Sequence, residues 1–190
     1  YAAGATDSIY AQRFPWGWET NDFNDAAWKK PTMVAFADPL YYAYKHGEAD
    51  GGLTPRTIPM MEEKLERIPT LVRVEGIEAS PGFLTGKRPL IISPRTNAVL
   101  LLDQTYLTTA YPEILLSGGK GSIVEVAYAE ALYDEDLKKG NRNETANKRL
   151  FGYYDVFVPD GGENRLFRPL WYRTYRYVEI RIKTGDAPLS

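Results

Sequence analysis

From Ala98 to the end, the chain is a series of short alternating apolar runs separated by glycine-rich turns, and this restricts it to an all-β fold. Ala98–Leu102 is continuously apolar, as expected of a strand buried on both faces. Ser122–Glu130 sets Val124, Val126 and Tyr128 against Ile123, Glu125, Ala127 and Ala129. Phe151–Val158 and Thr174–Lys183 alternate in the same way; in the second, Val178, Ile180 and Ile182 oppose Tyr177, Glu179, Arg181 and Lys183. One face of each strand is expected to meet a core and the other to meet water or a neighbour. Ser117-Gly118-Gly119-Lys120-Gly121 and Pro159-Asp160-Gly161-Gly162 read as hairpin turns, where glycine supplies positive φ without steric cost. The polar stretch Tyr133–Lys148 reads as a long excursion between two strands.

The first half is less regular. Leu71–Ile77 alternates moderately, and Pro55, Pro59 and Pro69 punctuate Thr54–Pro69 as an extended linker, with one helical turn at Met60–Glu66 as an option. Residues 1–55 have polar turns around isolated aromatics. The 16 Gly, 13 Pro and 14 Tyr of the 190 residues suit short strands and many turns. With 23 basic and 25 acidic residues there is no basic stripe for a polyanion, which argues against nucleic acid as a partner. No run approaches the ~18 apolar residues of a membrane span, so no membrane partner is expected. The first residues lack the basic start and apolar core of a signal peptide, and a first residue of Tyr suggests a processed or excised chain. Zero Cys removes disulfides and thiolate chemistry.

Three phrases in order, LLLDQTYLTTAYPEILL, GSIVEVAYAEAL and LWYRTYRYVEIRI, resemble the β-sandwich region that precedes the catalytic barrel of bacterial α-L-rhamnosidases. The phrase from Trp18 to Trp28 resembles the end region of a galactose-binding-like sandwich, and PRTIPMMEE extends the likeness. The resemblance implies an antiparallel β-sandwich of jelly-roll or galactose-binding-like type. It divides the chain into a partial galactose-binding-like segment or extension (1–55) and an accessory sandwich (56–190). It further implies a parent glycoside hydrolase that inverts through two carboxylates in an α/α barrel. None of that family's catalytic glutamates maps onto this chain, so the fragment is expected to be inactive alone. The barrel is its expected partner, and the expected location, periplasmic or extracellular, follows from the resemblance alone.

Candidate sites divide by chemistry. Glu125 and Glu130, five apart on one strand, point to opposite faces and cannot flank one bond. Glu130 is expected to accept a structural hydrogen bond. Asp134, Glu135 and Asp136 offer either calcium-type oxygen ligands or solvated turn residues, so calcium is the one cofactor weighed and no other metal is expected. His46, the one histidine, cannot build a metal site by itself. The glycines at 118–121 lack the spacing of a phosphate loop. Aromatics carry the alternative function, an autonomous module recognising rhamnose-containing glycans, since sugar C–H faces stack on aromatic rings while polar groups fix orientation. The candidates are Trp16, Trp18, Tyr41, Tyr42, Tyr44, Trp171 and Tyr172, whereas Trp28 and Tyr177 suit core positions. Asn141, Arg142 and Asn143 sit in a polar loop able to meet sugar hydroxyls or the barrel. Of Arg173 and Arg176, one is expected to pair with a carboxylate in the sheet.

Overall fold

The computed structural model describes residues 6–32 and 56–190. Pro15–Leu65 cluster as one unit, and Glu66–Ser190 with the chain start up to Phe14 as another. In the first unit, residues 15–32 form successive turns: the Trp18 N–H donates to the Pro15 carbonyl (3.0 Å), and that of Trp28 to Asp25 (2.8 Å). Trp28 packs edge-on against Phe23 but is 52% exposed, so the core position expected for it is corrected. Residues 56–65 run without helix, so the helical turn offered for Met60–Glu66 is not formed; Pro59 lacks the N–H a helix would use and disfavours helix at the residue before it.

The second unit is all-β. Its strands are β1 (Ser8–Tyr10), β2 (Thr70–Glu75), β3 (Asn97–Ala110), β4 (Ile114–Leu116), β5 (Ile123–Ala129), β6 (Tyr154–Val158), β7 (Arg165–Phe167) and β8 (Arg173–Lys183). Six form one sheet in the order β1-β6-β5-β8-β3-β2, and β4 pairs with β7 in a small second sheet. The arrangement is consistent with the expected β-sandwich. Every pairing is antiparallel except that of β1, which adds in parallel to β6 from the far end of the chain.

The turns read as hairpins prove to be crossovers between sheets. Residues 117–122 carry the chain from β4 to β5, and residues 159–164 from β6 to β7, neither of which is a paired couple. The two turns bond to each other instead, the Gly118 N–H donating to the Gly162 carbonyl at 3.0 Å. Gly118 has φ 74°, and a Cβ there would lie 2.8 Å from the Pro188 carbonyl oxygen, so only glycine fits.

The middle of the large sheet is buried on both faces, which the alternation alone did not predict. On one face Val124, Val126 and Phe157 are sealed, and Phe157 meets Phe167 of the small sheet with ring centroids 5.6 Å apart. On the other, Leu101, Ala127, Ala129 and Tyr177 form a cluster with Leu132 and Leu150. Those two leucines bracket the polar excursion, so its ends close the second face while its middle stays wet. Tyr177 is fully buried, in line with the core position expected for it, although it shares a face with Glu179, Arg181 and Lys183.

Candidate functional site

The register of β3 against β8 creates the most distinctive exposed feature. Ala110, the last residue of β3, pairs with Arg173, the first of β8. Tyr111 and Tyr172 therefore leave the sheet side by side, and their rings meet edge to face at 6.4 Å. Trp171 lies against Tyr172 with centroids 5.0 Å apart and planes 31° from parallel. The Arg168 guanidinium sits 5.0 Å from the centre of the Tyr111 ring and 3.4 Å from the Glu113 carboxylate. Trp171 remains 54% exposed, and Tyr111 and Tyr172 41% each. Three aromatics and one ion pair thus share one edge of the sandwich.

A buried charge network holds this edge in place. Asp155, wholly buried on β6, accepts from Arg173 Nε (3.0 Å) and Nη2 (2.6 Å) and from the backbone N–H of Asp7 (2.8 Å). Asp7 in turn accepts from Arg173 Nη2 (3.1 Å) and from the Leu170 N–H (3.0 Å), while Arg173 Nη1 donates to the Trp171 carbonyl (3.3 Å). The backbone presenting Trp171 is therefore pinned on both sides by groups anchored in the core. Hydrogen bonding to Asp155, with burial opposing, raises the Arg173 pKa above its ordinary value. Burial, then the nearby charge of Asp155, pushes the Tyr128 hydroxyl far above the usual phenol range. That hydroxyl is buried outside hydrogen-bond geometry with any partner among the described residues.

Arg176 builds a second network. Between the pairs Asp103–Tyr177 and Thr108–Tyr175, β3 bulges so that Gln104–Leu107 face Arg176 alone. Arg176 grips Asp103 through two bonds, at 2.9 and 3.1 Å, and donates a third to the Asn143 side chain at 2.5 Å. The Tyr177 hydroxyl donates to the Arg142 carbonyl at 2.5 Å. Lys148, itself buried, donates to the carbonyls of Lys139 (2.9 Å) and Asn141 (3.0 Å). The polar loop is thereby folded around an ammonium and docked onto the sheet: Asn143 and the backbone of Arg142 and Asn141 serve its own architecture. Both arginines flanking Tyr175, not one, pair with carboxylates.

Other candidates fall elsewhere. Trp16 and Trp18 lie in the turns of the Pro15–Leu65 unit, Trp18 exposed and Trp16 half-buried. Tyr41, Tyr42, Tyr44 and His46 lie outside the described residues. Asp134 accepts from the Lys138 N–H (2.8 Å) and Asp136 pairs with the Lys138 ammonium (3.3 Å), as turn residues do. Among the described residues no group of three or more His, Asp or Glu comes together as a metal site. Tyr111, Glu113 and Arg168 were not singled out from the sequence. The YPE and FRPLWY phrases were visible, but only the β3–β8 register brings them together.

The buried carboxylates are already engaged. Asp103, Asp155 and Glu179 are the buried acids among the described residues, and each meets arginine: Glu179 accepts from Arg181 at 2.8 Å and lies 3.9 Å from an Arg73 nitrogen. Asp160 accepts two bonds from Arg165, which with burial opposing holds its carboxyl below the usual range. An open depression of about 320 Å³ beside β2 is lined by Val72, Arg73, Glu75, Thr145, Ala146 and Asn147, and its one carboxylate, Glu75, lies 3.0 Å from Arg73 Nε.

The fold and site define an all-β domain with an exposed aromatic edge. No family model matches the chain, and no curated protein matches it. Among solved structures it is weakly similar to a GH78 family rhamnosidase of Bacillus sp. GL1, with a TM-score of 0.37 and 14% identity. That match covers 50% of this chain and 9% of the other.

Proposed function

We propose that this chain is a non-catalytic β-sandwich accessory region of a glycoside hydrolase resembling α-L-rhamnosidases, built to support a catalytic barrel. The resemblance of its strand phrases motivates the reading, and the state of its carboxylates is the observation that carries it. Inverting hydrolysis needs one carboxyl holding a proton to give and a second activating water, ~6.5–9.5 Å apart across a cleft. Here each described buried carboxylate is bound to a guanidinium, and for Asp103 and Asp155 the pair ties two strands together. Such pairs organise a scaffold, and removing either partner disrupts it.

The test is an aryl α-L-rhamnoside hydrolysis assay on the purified chain, with calorimetric titration against an α/α-barrel domain of a rhamnosidase prepared without its own sandwich. No turnover by the chain and saturable heat with the barrel are expected. Turnover by the chain alone, or no heat with the barrel, refutes the reading.

One observation favours a second reading, a carbohydrate-binding module. It is the exposure of Trp171 and Tyr172 on a backbone that the core holds rigid.

A further inference from the structure

The aromatic edge carries more specific information than exposure. Exposed tryptophans on mobile loops are unremarkable, but the backbone here is tied down at consecutive residues. The Leu170 N–H is held by Asp7, the Trp171 carbonyl by Arg173, and both holders are joined through fully buried Asp155. Pre-organising an aromatic surface removes the entropy that binding would otherwise cost. The polar part adjoins it: the Arg168–Glu113 pair lies over and beside Tyr111, one ring from Tyr172 and two from Trp171. The result is an apolar face flanked by a guanidinium donor and a carboxylate acceptor.

We infer that Trp171, Tyr172 and Tyr111, with Arg168 and Glu113, form a pyranose-binding platform for a neutral glycan. The open face of the more exposed Trp171 ring, backed by Tyr172, would stack on a sugar's C–H surface, and the Arg168–Glu113 pair would bond its hydroxyls. A protein partner fits less well. It would bury a half-exposed ion pair in a dry interface, where desolvation cancels much of the Coulombic gain. A sugar hydroxyl both donates and accepts, so it satisfies the pair while leaving it wet. The absence of a basic stripe disfavours an anionic glycan. This inference rests on the module reading and names its site.

The experiment is ¹H–¹⁵N NMR titration of the labelled chain with methyl α-L-rhamnopyranoside, methyl β-D-glucopyranoside and methyl β-D-galactopyranoside. The readout is the indole N–H resonances of the four tryptophans. Wild type, Trp171→Ala, Tyr111→Ala, Glu113→Gln and Trp18→Ala are compared, each checked for an unchanged thermal transition. A saturable shift of the Trp171 indole with at least one sugar is expected. Trp171→Ala and Tyr111→Ala should each weaken binding by about tenfold or more, the usual weight of a central aromatic contact. Trp18→Ala should leave it unchanged. Binding that survives Trp171→Ala but is lost in Trp18→Ala overturns this site and keeps the module reading. No shift with any of the three sugars in the folded wild type overturns both. If Trp171→Ala fails to fold, Tyr111→Ala and Glu113→Gln decide the matter.

Discussion

Replacing Arg173 by methionine tests the central network most directly. The side chain of Arg173 is 11% exposed, and it supplies both nitrogens that Asp155 accepts on its two oxygens, at 3.0 and 2.6 Å. Without it, Asp155 stays fully buried with the Asp7 N–H as its remaining partner, and Asp7 loses its cation as well. Breaking a buried pair from one side costs roughly 3–5 kcal/mol, mostly because a charge is left behind. At about 2–4 °C per kcal/mol for a chain of this length, the melting temperature should fall by about 6–20 °C. Asp155→Asn should cost less, about 1–2 kcal/mol, because Arg173 keeps Asp7 at 3.1 Å. The double variant should cost clearly less than the sum, with a coupling of about 1–3 kcal/mol. Urea unfolding gives the energies. Hydrogen exchange at Ser8–Tyr10 should rise in Arg173→Met, since β1 pairs with β6 alone. A loss below about 1 kcal/mol for Arg173→Met, or strict additivity in the double variant, would show that the network does not hold this edge together.

Lys148→Met should free the loop that its ammonium organises, costing about 1.5–3 kcal/mol for the charged bonds to Lys139 and Asn141. Limited proteolysis should cut residues 139–147 faster, and an unchanged cleavage pattern would refute the role. Gly76→Ala should cost at least about 2–3 kcal/mol by urea unfolding. At φ 78° its Cβ would lie 1.9 Å from the Asn97 carbonyl oxygen, whereas a Cβ at Gly82 meets nothing closer than 3.6 Å and serves as control. Burial raises the hydroxyl pKa of Tyr128, Tyr175 and Tyr177. The native state therefore keeps protons that the unfolded chain releases above about pH 10, and stability, complete below that pH, falls as pH rises further. Urea midpoints should decline beyond pH 10 and decline less in Tyr128→Phe; a flat profile would contradict the assignment.

The fold class was legible because it rests on local signals. Two-residue alternation at 122–130 and 174–183, the apolar run at 98–102, and glycines at the turns specify strands wherever the chain goes. A core position was expected for Tyr177, although alternation set it on the face of Glu179, Arg181 and Lys183; of Arg173 and Arg176 one pairing was expected and both are made. The exposure of Trp28 was not legible, because burial depends on what another part of the chain supplies; among the described residues its ring partner is Phe23.

By itself, then, the sequence determined an all-β chain with little net charge, and which of its residues could be strand, turn or linker. Tertiary structure alone decided that the strands divide six and two, and that a three-residue strand returns from 148 residues away to join β6. It also decided that Leu132 and Leu150 cap the second face, and that Tyr111 and Tyr172 become neighbours. Alternation states that a strand has two faces; it carries no information about which partner lies beside it or what covers each face. Those are set by pairings between distant segments, whose energy exists only once the chain has closed the loops between them.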